Sequence, residues 1–424
     1  MKNENILRSI KLTEARKRAA KRSFVDLDTL TAAEDILAKI KAGGDSAIKQ
    51  FAVDFGESGK VYDQTDLLYA LKNLNSGIKN LLERSMSRIS AFAQAQRSAF
   101  SDVLVETNGA KLSHRLFPVE RVGCYVPGGR YPLPSSLLMT ALSAKAAGVE
   151  DIVICCPRPS DIILAAAALC GANCVIGLGG VQAVAAMSFG YNGVKSRDVI
   201  TGPGNRWVSA AKQLLNGSIR MDLPAGPTEL VVIADRFADI EFVAADLIAQ
   251  AEHDTDAWPV LIAVKDFDLD KLNRVLSIQL SELSTSQTAR EALTNGFCVL
   301  VNDLAEAAEL TNDLAPEHLS VQVANAPDCA GLFTNYGTIF IGSMAAEALG
   351  DYGIGPNHVL PTGGAARRYG ALSVLNFLRV QTRIDATDVD EQMLADASAL
   401  AIIEGLEGHA SAINIRRIER GLNG

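Results

Sequence analysis

DIVICCPRPSDIILAAAALCGANCVIGLGG, residues 151–180, passes from a short apolar run through an Ala-rich helical pattern to a second apolar run that ends on a glycine pair. Strands buried on both faces read as unbroken apolar runs, and a helix-length segment between two of them is the mark of a parallel pair with a crossover. Outward from this stretch the rhythm continues: VGCYVP lies before it, and DVITGPG and IRMDLPAGP lie after it. Beyond Pro227 it resumes with ELVVIAD, PVLIAV, FCVLVND, LSVQV and TIFIG. Alternating strand and helix over two such blocks predicts an α/β protein with two parallel sheets.

The flanks differ. TAAEDILAKIKAGG carries a Thr31-x-x-Glu34 capping box and is expected to stop at Gly43-Gly44. A second helix is expected through SAIKQFAVDFG, and amphipathic stretches run from about Asp66 to Ser101. These helices are assigned to the block that resumes after Pro227. The last 40 residues are read as helical with no strand, an appendage that must dock elsewhere. The boundaries that follow are 1–22 for an N-terminal arm, 23–118 with 229–378 for one α/β domain, 119–228 for the other, and 379–424 for a helical tail.

The totals exclude several classes. A chain of 424 residues with 48% hydrophobic and 21% charged side chains is an ordinary globular composition, too long for one compact unit. A net charge of −9 argues against nucleic acid as the main partner. The first 22 residues are basic but lack the apolar core of a signal peptide, so a solvated arm or a helix packed on an acidic surface is preferred to a targeting or RNA-binding segment. No apolar run is long enough to span a membrane. Seven cysteines lie in apolar segments; Cys170 and Cys174 are four apart but lack a second ligand pair, so buried thiols and a reducing, cytoplasmic setting are expected.

Chemistry is concentrated around scarce histidines. There are five: His114, His253, His318, His358 and His409, and four of them sit in Gly/Pro-marked or acidic local sequence. In QAEHD, residues 250–254, Gln250 and His253 are three apart, so a helix would carry both on one face. With a His and an Asp from elsewhere they would complete a four-coordinate site of zinc type, although Gln is an infrequent zinc ligand and the spacing alone leaves the metal open. The dinucleotide fingerprint G-x-G-x-x-G is absent: GLGGVQ and GPGNRW lack the third glycine, and both read first as tight strand-to-helix turns. VPGGRYPLPSS reads as a Pro/Gly turn feeding a helix before it reads as a phosphate loop.

Taken in order, GCYVPGG, GGVQAVAA, GPGN, AGPTE, QAEH, PEHL, GDY with GPNHVLPT, and EGLEGH closely resemble the motifs of the histidinol dehydrogenases, from about residue 30 to 415. The resemblance implies two Rossmann-like parallel-sheet domains with an N-terminal helical segment and a C-terminal helical tail. It also implies one Zn2+ per subunit, NAD, and oxidation of L-histidinol to L-histidine through the aldehyde. The residues that match the family's zinc ligands are Gln250, His253, Asp351 and His409. Those that match its substrate contacts are Thr228, Gln250, His253, His318, Asp351, His358, Glu404 and His409. Tyr125, Gln182 and Asn205 match its NAD contacts, His318 its general base and Glu317 its water-activating carboxylate. Members are homodimers whose tails reach the neighbouring active site. Thr228 stands where the family more often has Ser, and GGVQ and CYVPGGRYP are also similar to relatives acting on other hydroxylated substrates such as sulfopropanediol. A paralogous zinc/NAD alcohol dehydrogenase is therefore the second reading, and a cofactor-free zinc hydrolase the third.

Overall fold

The computed structural model describes residues 6–20, 25–107, 109–128 and 131–419. The chain forms two compact units, one of Met1–Arg97 with Val119–Phe377 and one of Ser98–Pro118 with Leu378–Gly424.

The first unit opens with helices α1 (Leu12–Ala20) and α2 (Leu27–Asp54), strand β1 (Val61–Tyr62), and helices α3 (Gln64–Asn73) and α4 (Ser76–Ser98). Strands β2 (Val103–Thr107) and β3 (Ala110–Pro118) then belong to the second unit. The alternation read from the sequence follows as β4 (Arg121–Tyr125), α5 (Pro134–Ala147), β5 (Asp151–Cys155), α6 (Asp161–Cys170), β6 (Cys174–Ile176), α7 (Gly180–Phe189), β7 (Val199–Thr201), α8 (Arg206–Leu215) and β8 (Arg220–Met221). These strands form a six-stranded sheet in the order β1-β6-β5-β4-β7-β8, parallel except for β1. Since β4, β5 and β6 add in one direction and β7 and β8 in the other, the order reverses between β4 and β7. That is where open α/β sheets gather ligands at the strands' C-terminal ends.

The second sheet is built from β9 (Glu229–Ala234), α9 (Ile240–Ala251), β10 (Trp258–Val264), α10 (Leu269–Ser281), α11 (Ser286–Asn295), β11 (Phe297–Val301), α12 (Leu304–Leu314), β12 (His318–Gln322), α13 (Ala326–Cys329) and β13 (Thr338–Ile341). A short helix, α14 (Ala348–Asp351), follows. Its order is β11-β10-β9-β12-β13, all parallel. Every residue of β9 and β12 is buried, the apolar run of β9 as expected and the polar His318, Ser320 and Gln322 of β12 with it.

The N-terminal helices do not join the second sheet as their assignment to residues 229–378 supposed. Ala33, Leu37, Ile40, Ile48 and Ala52 of α2 share a core with Val153, Ile176, Val181, Ile200 and Val208 of the first sheet and its helices. The Gln64 side chain at the start of α3 donates to the carbonyls of Ala172 (2.6 Å) and Asn173 (2.9 Å). An apolar helix stripe specifies burial but not which of two similar sheets receives it. Segment 6–20 is the part that belongs with the second sheet. Leu7 is buried there, Ser9 bridges to Cys298, and Arg16 of α1 meets Glu309 at 3.0 Å and Asp313 at 3.5 Å on α12. The basic segment is thus a helix packed on an acidic surface over its described part; residues 1–5 and 21–22 lie outside the described residues.

Two local expectations also change. Helix α2 begins four residues earlier than the Thr31 capping box. Its cap is Asp26, which accepts from Thr29 N at 2.8 Å, and the break at the glycine pair is a kink at Gly44 with φ 56°. The stretch 379–385, read as part of a helical tail, is strand. In the second unit β14 (Leu378–Asp385) pairs antiparallel with β3, which pairs with β2. Helices α15 (Glu391–Ile403) and α16 (Glu407–Glu419) complete that unit, and Arg417 is paired with Glu391. Among the described residues no helix is long and apolar enough to cross a membrane.

Candidate active site

Thr228, Gln250, Glu317 and His318 meet at the N-terminal ends of β9 and β12, the edge opposite to the one that open α/β sheets ordinarily use. Thr228 precedes β9, Glu317 precedes β12, and His318 is the first residue of β12. The two strands are in parallel register, with His318 opposite Leu230. That register sets the imidazole: His318 Nδ1 lies 3.0 Å from the Glu229 carbonyl. A carbonyl only accepts, so Nδ1 carries the proton and Nε2 is left as the basic atom. Burial pulls the His318 pKa down, but the carboxylates of Glu317, Glu347 and Asp351 outweigh it and leave the group above its ordinary value.

A hydrogen-bonded chain runs beside it. The Gln250 amide nitrogen donates to Thr228 Oγ1, Thr228 donates to Glu317 Oε2 at 2.8 Å, and the Glu229 backbone N–H donates to the same oxygen at 2.9 Å. Burial pushes Glu317 up to about 7, against the lowering effect of His318 and the Thr228 bond. Gln250 is fully buried, and its Oε1 has no partner among the described residues.

Helix α9 ends at Ala251, so His253 sits just past the helix end rather than on its face. It still turns toward the acidic loop: His253 Nε2 is 3.6 Å from Asp351 Oδ2. His358 returns to the same residue, with Nδ1 3.1 Å from the Asp351 carbonyl. Its Nε2 is buried without a partner among the described residues, and burial holds its pKa below the usual imidazole value, so it is a neutral acceptor. Asn357 anchors this loop on α5, donating to Met139 O at 2.8 Å and Ser143 Oγ at 3.0 Å.

Glu347 and Asp246 were not anticipated. Glu347 is buried with neither carboxyl oxygen hydrogen-bonded among the described residues, and its Oε1 is 3.6 Å from His318 Nε2. Burial lifts it to about 7. One ligand atom each from His318, Glu347 and Asp351 lies within 4.8 Å of the others. Asp246 accepts from Gln322 Nε2 at 2.7 Å and is lifted by burial to about 6. The available signal for Asp246 was its place in an apolar helix four residues before Gln250; Glu347, four before Asp351, gave none of comparable clarity.

Tyr125 ends β4, and Gln182 and Asn205 follow β6 and β7, all at the other sheet's C-terminal edge. Tyr125 and the GPGN turn flank the point where the strand order reverses, and a methyl at Gly202 (φ 117°) would come within 2.1 Å of the Tyr125 carbonyl. Asn205 caps α8, accepting from Trp207 N and Val208 N. Residues 129–130 of the VPGGRYP turn lie outside the described residues. Glu404 and His409 are in the second unit, exposed at the end of α15 and the start of α16.

A family model described as histidinol dehydrogenase matches residues 19–417. The chain belongs to the histidinol dehydrogenase family. It is 40% identical over 385 residues to the histidinol dehydrogenase of Thermus thermophilus, covering 90% of this chain and 93% of that one. To the histidinol dehydrogenase of Parasynechococcus marenigrum it is 41% identical over 392 residues, covering 90% and 89%. The crystal structure of histidinol dehydrogenase from Elizabethkingia anophelis matches with a TM-score of 0.89 at 29% identity, over 99% of both chains. Family membership gives the two-sheet architecture and the constellation at β9 and β12 a common frame; none of these relatives bears the name of another alcohol dehydrogenase.

Proposed function

We propose that this chain is a cytoplasmic histidinol dehydrogenase that converts L-histidinol to L-histidine through L-histidinaldehyde, with NAD as oxidant and zinc as the bound metal. The observation that carries the reading is the pairing of a base whose Nδ1 is held by the Glu229 carbonyl, His318, with the neighbouring carboxyl of Glu317, lifted by burial to about 7, at the start of β12. Two successive oxidations need such a pair: one group to take a hydroxyl proton, another to activate water for attack on an aldehyde.

Zinc fits the donors present. The Gln250 nitrogen is committed to Thr228, so its unpartnered buried oxygen is the atom left to bind a cation, and His253 and Asp351 face each other nearby. Gln250, His253 and Asp351 would hold the metal together with His409. When bound, zinc would fix the nitrogen donors of the substrate and so remove orientational freedom. NAD, when bound at Tyr125, Gln182 and Asn205, supplies the hydride acceptor.

The chain's own residues then divide the proton work. His318 Nε2 accepts the hydroxyl proton while Nδ1 stays on the Glu229 carbonyl, so the ring does not turn. Glu317, steadied by Thr228 and the Glu229 N–H, takes a proton from water in the second step. His358 offers a neutral acceptor for an N–H of the substrate.

His409 and Glu404 are proposed to serve the active site of a second copy. Val380, Ile384, Leu400, Ile402 and Ile403 are exposed on the unit that carries them, an apolar surface suited to a homodimer. NADH formation with L-histidinol, lost on chelation and restored by zinc, tests the whole reading. NADH formation with sulfopropanediol and not with L-histidinol would overturn it.

A further inference from the structure

Gln182 stands on the first turn of α7, is buried, and donates its Nε2 to Glu57 Oε2 at 2.8 Å. A carboxylate only accepts, so this bond decides the amide's orientation: nitrogen toward Glu57, oxygen away from it. The oxygen lies over Gly180, where a methyl would come within 3.2 Å of it, and among the described residues no donor reaches it. Glu57 is itself held in place. Its N–H donates to Ala52 O at 2.7 Å, and the following loop is stitched to the end of β6 by Gly59 N to Gly177 O (3.0 Å) and Gly177 N to Lys60 O (2.8 Å). Tyr191 adds a bond to the Gly59 carbonyl at 2.8 Å.

The Glu57 carboxylate also sits at the N-terminus of α7, where its Oε1 would lie 2.7 Å from a methyl at the cap residue Gly179. In dinucleotide folds such a glycine-rich helix start receives a phosphate. Here a side chain of the protein already occupies that position.

We infer that Glu57 is a positioning residue for cofactor binding: it turns Gln182 so that the amide presents an acceptor to a hydroxyl or N–H of the dinucleotide, and not a donor to its phosphates. The inference rests on the proposed contact between Gln182 and NAD. Glu57 has no contact of its own with the cofactor in this scheme, so its whole effect must pass through Gln182.

A double-mutant cycle tests that directly. NAD+ is titrated calorimetrically into the zinc-loaded parent, Glu57→Ala, Gln182→Ala and the double variant. Each single variant is expected to weaken NAD+ binding about tenfold, and the double variant to be no weaker than Gln182→Ala. Steady-state kinetics of Glu57→Ala should show KM for NAD+ raised, with kcat and KM for the alcohol unchanged. Glu57→Gln, which can still offer an oxygen to Gln182, is expected to recover part of the affinity, and it carries the test if Glu57→Ala does not fold. Equal affinity in Glu57→Ala and the parent, with Gln182→Ala impaired, would overturn the positioning role. Additive losses in the double variant would overturn it too, because Glu57 would then act on its own. An unimpaired Gln182→Ala would remove the underlying contact and the inference with it.

Discussion

Thr228 gives its hydroxyl proton to Glu317 at 2.8 Å and receives one from Gln250, so a single side chain joins the proposed metal ligand to the proposed water-activating carboxylate. The methyl group that distinguishes Thr from Ser takes no part in either bond. Thr228→Ser is therefore expected to stay within about threefold of the parent. Thr228→Val strands a buried amide and loosens Glu317, at about 1–3 kcal/mol, or roughly 10- to 100-fold in kcat/KM. Steady-state assays of both variants decide the point; an undiminished Thr228→Val would show the link to be idle.

The two oxidations separate by substrate. Glu317→Gln is expected to slow oxidation of supplied L-histidinaldehyde by about 10²-fold or more while largely sparing hydride transfer from the alcohol. His318→Ala should reverse the pattern. If Glu317→Gln handles the aldehyde as fast as the parent, the division of labour is wrong.

Metal content reads the ligand set without reference to turnover. His253→Asn is expected to lose most of its zinc and to drop activity by orders of magnitude, with an unchanged circular dichroism spectrum, because His253 lies past the end of α9 on an exposed turn. One tightly held zinc per subunit in that variant would remove His253 from the set.

The exchange of tails has a genetic-style test. A His409→Asn subunit keeps a sound body and a faulty tail; a Glu317→Gln subunit has the reverse. Each homodimer should be nearly inactive, yet a mixed dimer contains one intact site. Co-refolding the two should restore substantial activity, and silence from proven heterodimers would place the tail in its own chain's site.

Asp246 offers a stability readout. Its folded pKa is about 6 against 3.8 for a free carboxyl, with burial as the main cause. Between those values the folded protein holds a proton that the unfolded chain releases, so stability from this group is present below pH 3.8 and is lost as pH rises through 6. Asp246→Asn cannot ionise and escapes the loss. Its Tm relative to the parent should therefore improve from pH 4 to pH 7; a constant difference across that range would contradict it.

What could be read beforehand follows from what a local pattern can encode. All ten apolar runs named around residues 151–180 and after Pro227 contain strands of the two main sheets, because burial on both faces leaves a compositional trace. The partner of α2 left none, since Leu37 and Ile40 would be apolar against either sheet. Strands β2, β3 and β14 were missed for the opposite reason: exposed residues such as Arg379, Gln381 and Arg383 make β14 look like solvated chain. At the site, QAEH, PEHL and GDY named their residues through family likeness. Glu347 carried no motif of its own, and its significance is purely one of placement beside His318.

The Glu229–His318 bond ties the base to a rung of the central sheet, while Asp351 ends the short helix α14 and His358 and the exposed Met344, Tyr352 and Ile354 lie in the turns around it. Machinery and access are thereby mounted on different parts of the fold, one on a sheet strand and one on the segment after β13. Changes at Met344, Tyr352 and Ile354, which spare Glu347 and Asp351, can reshape what is admitted without disturbing the sheet that moves protons. A lineage in search of a new alcohol would find its freedom in that segment, and a register slip of β12 against β9 would cost it the base altogether.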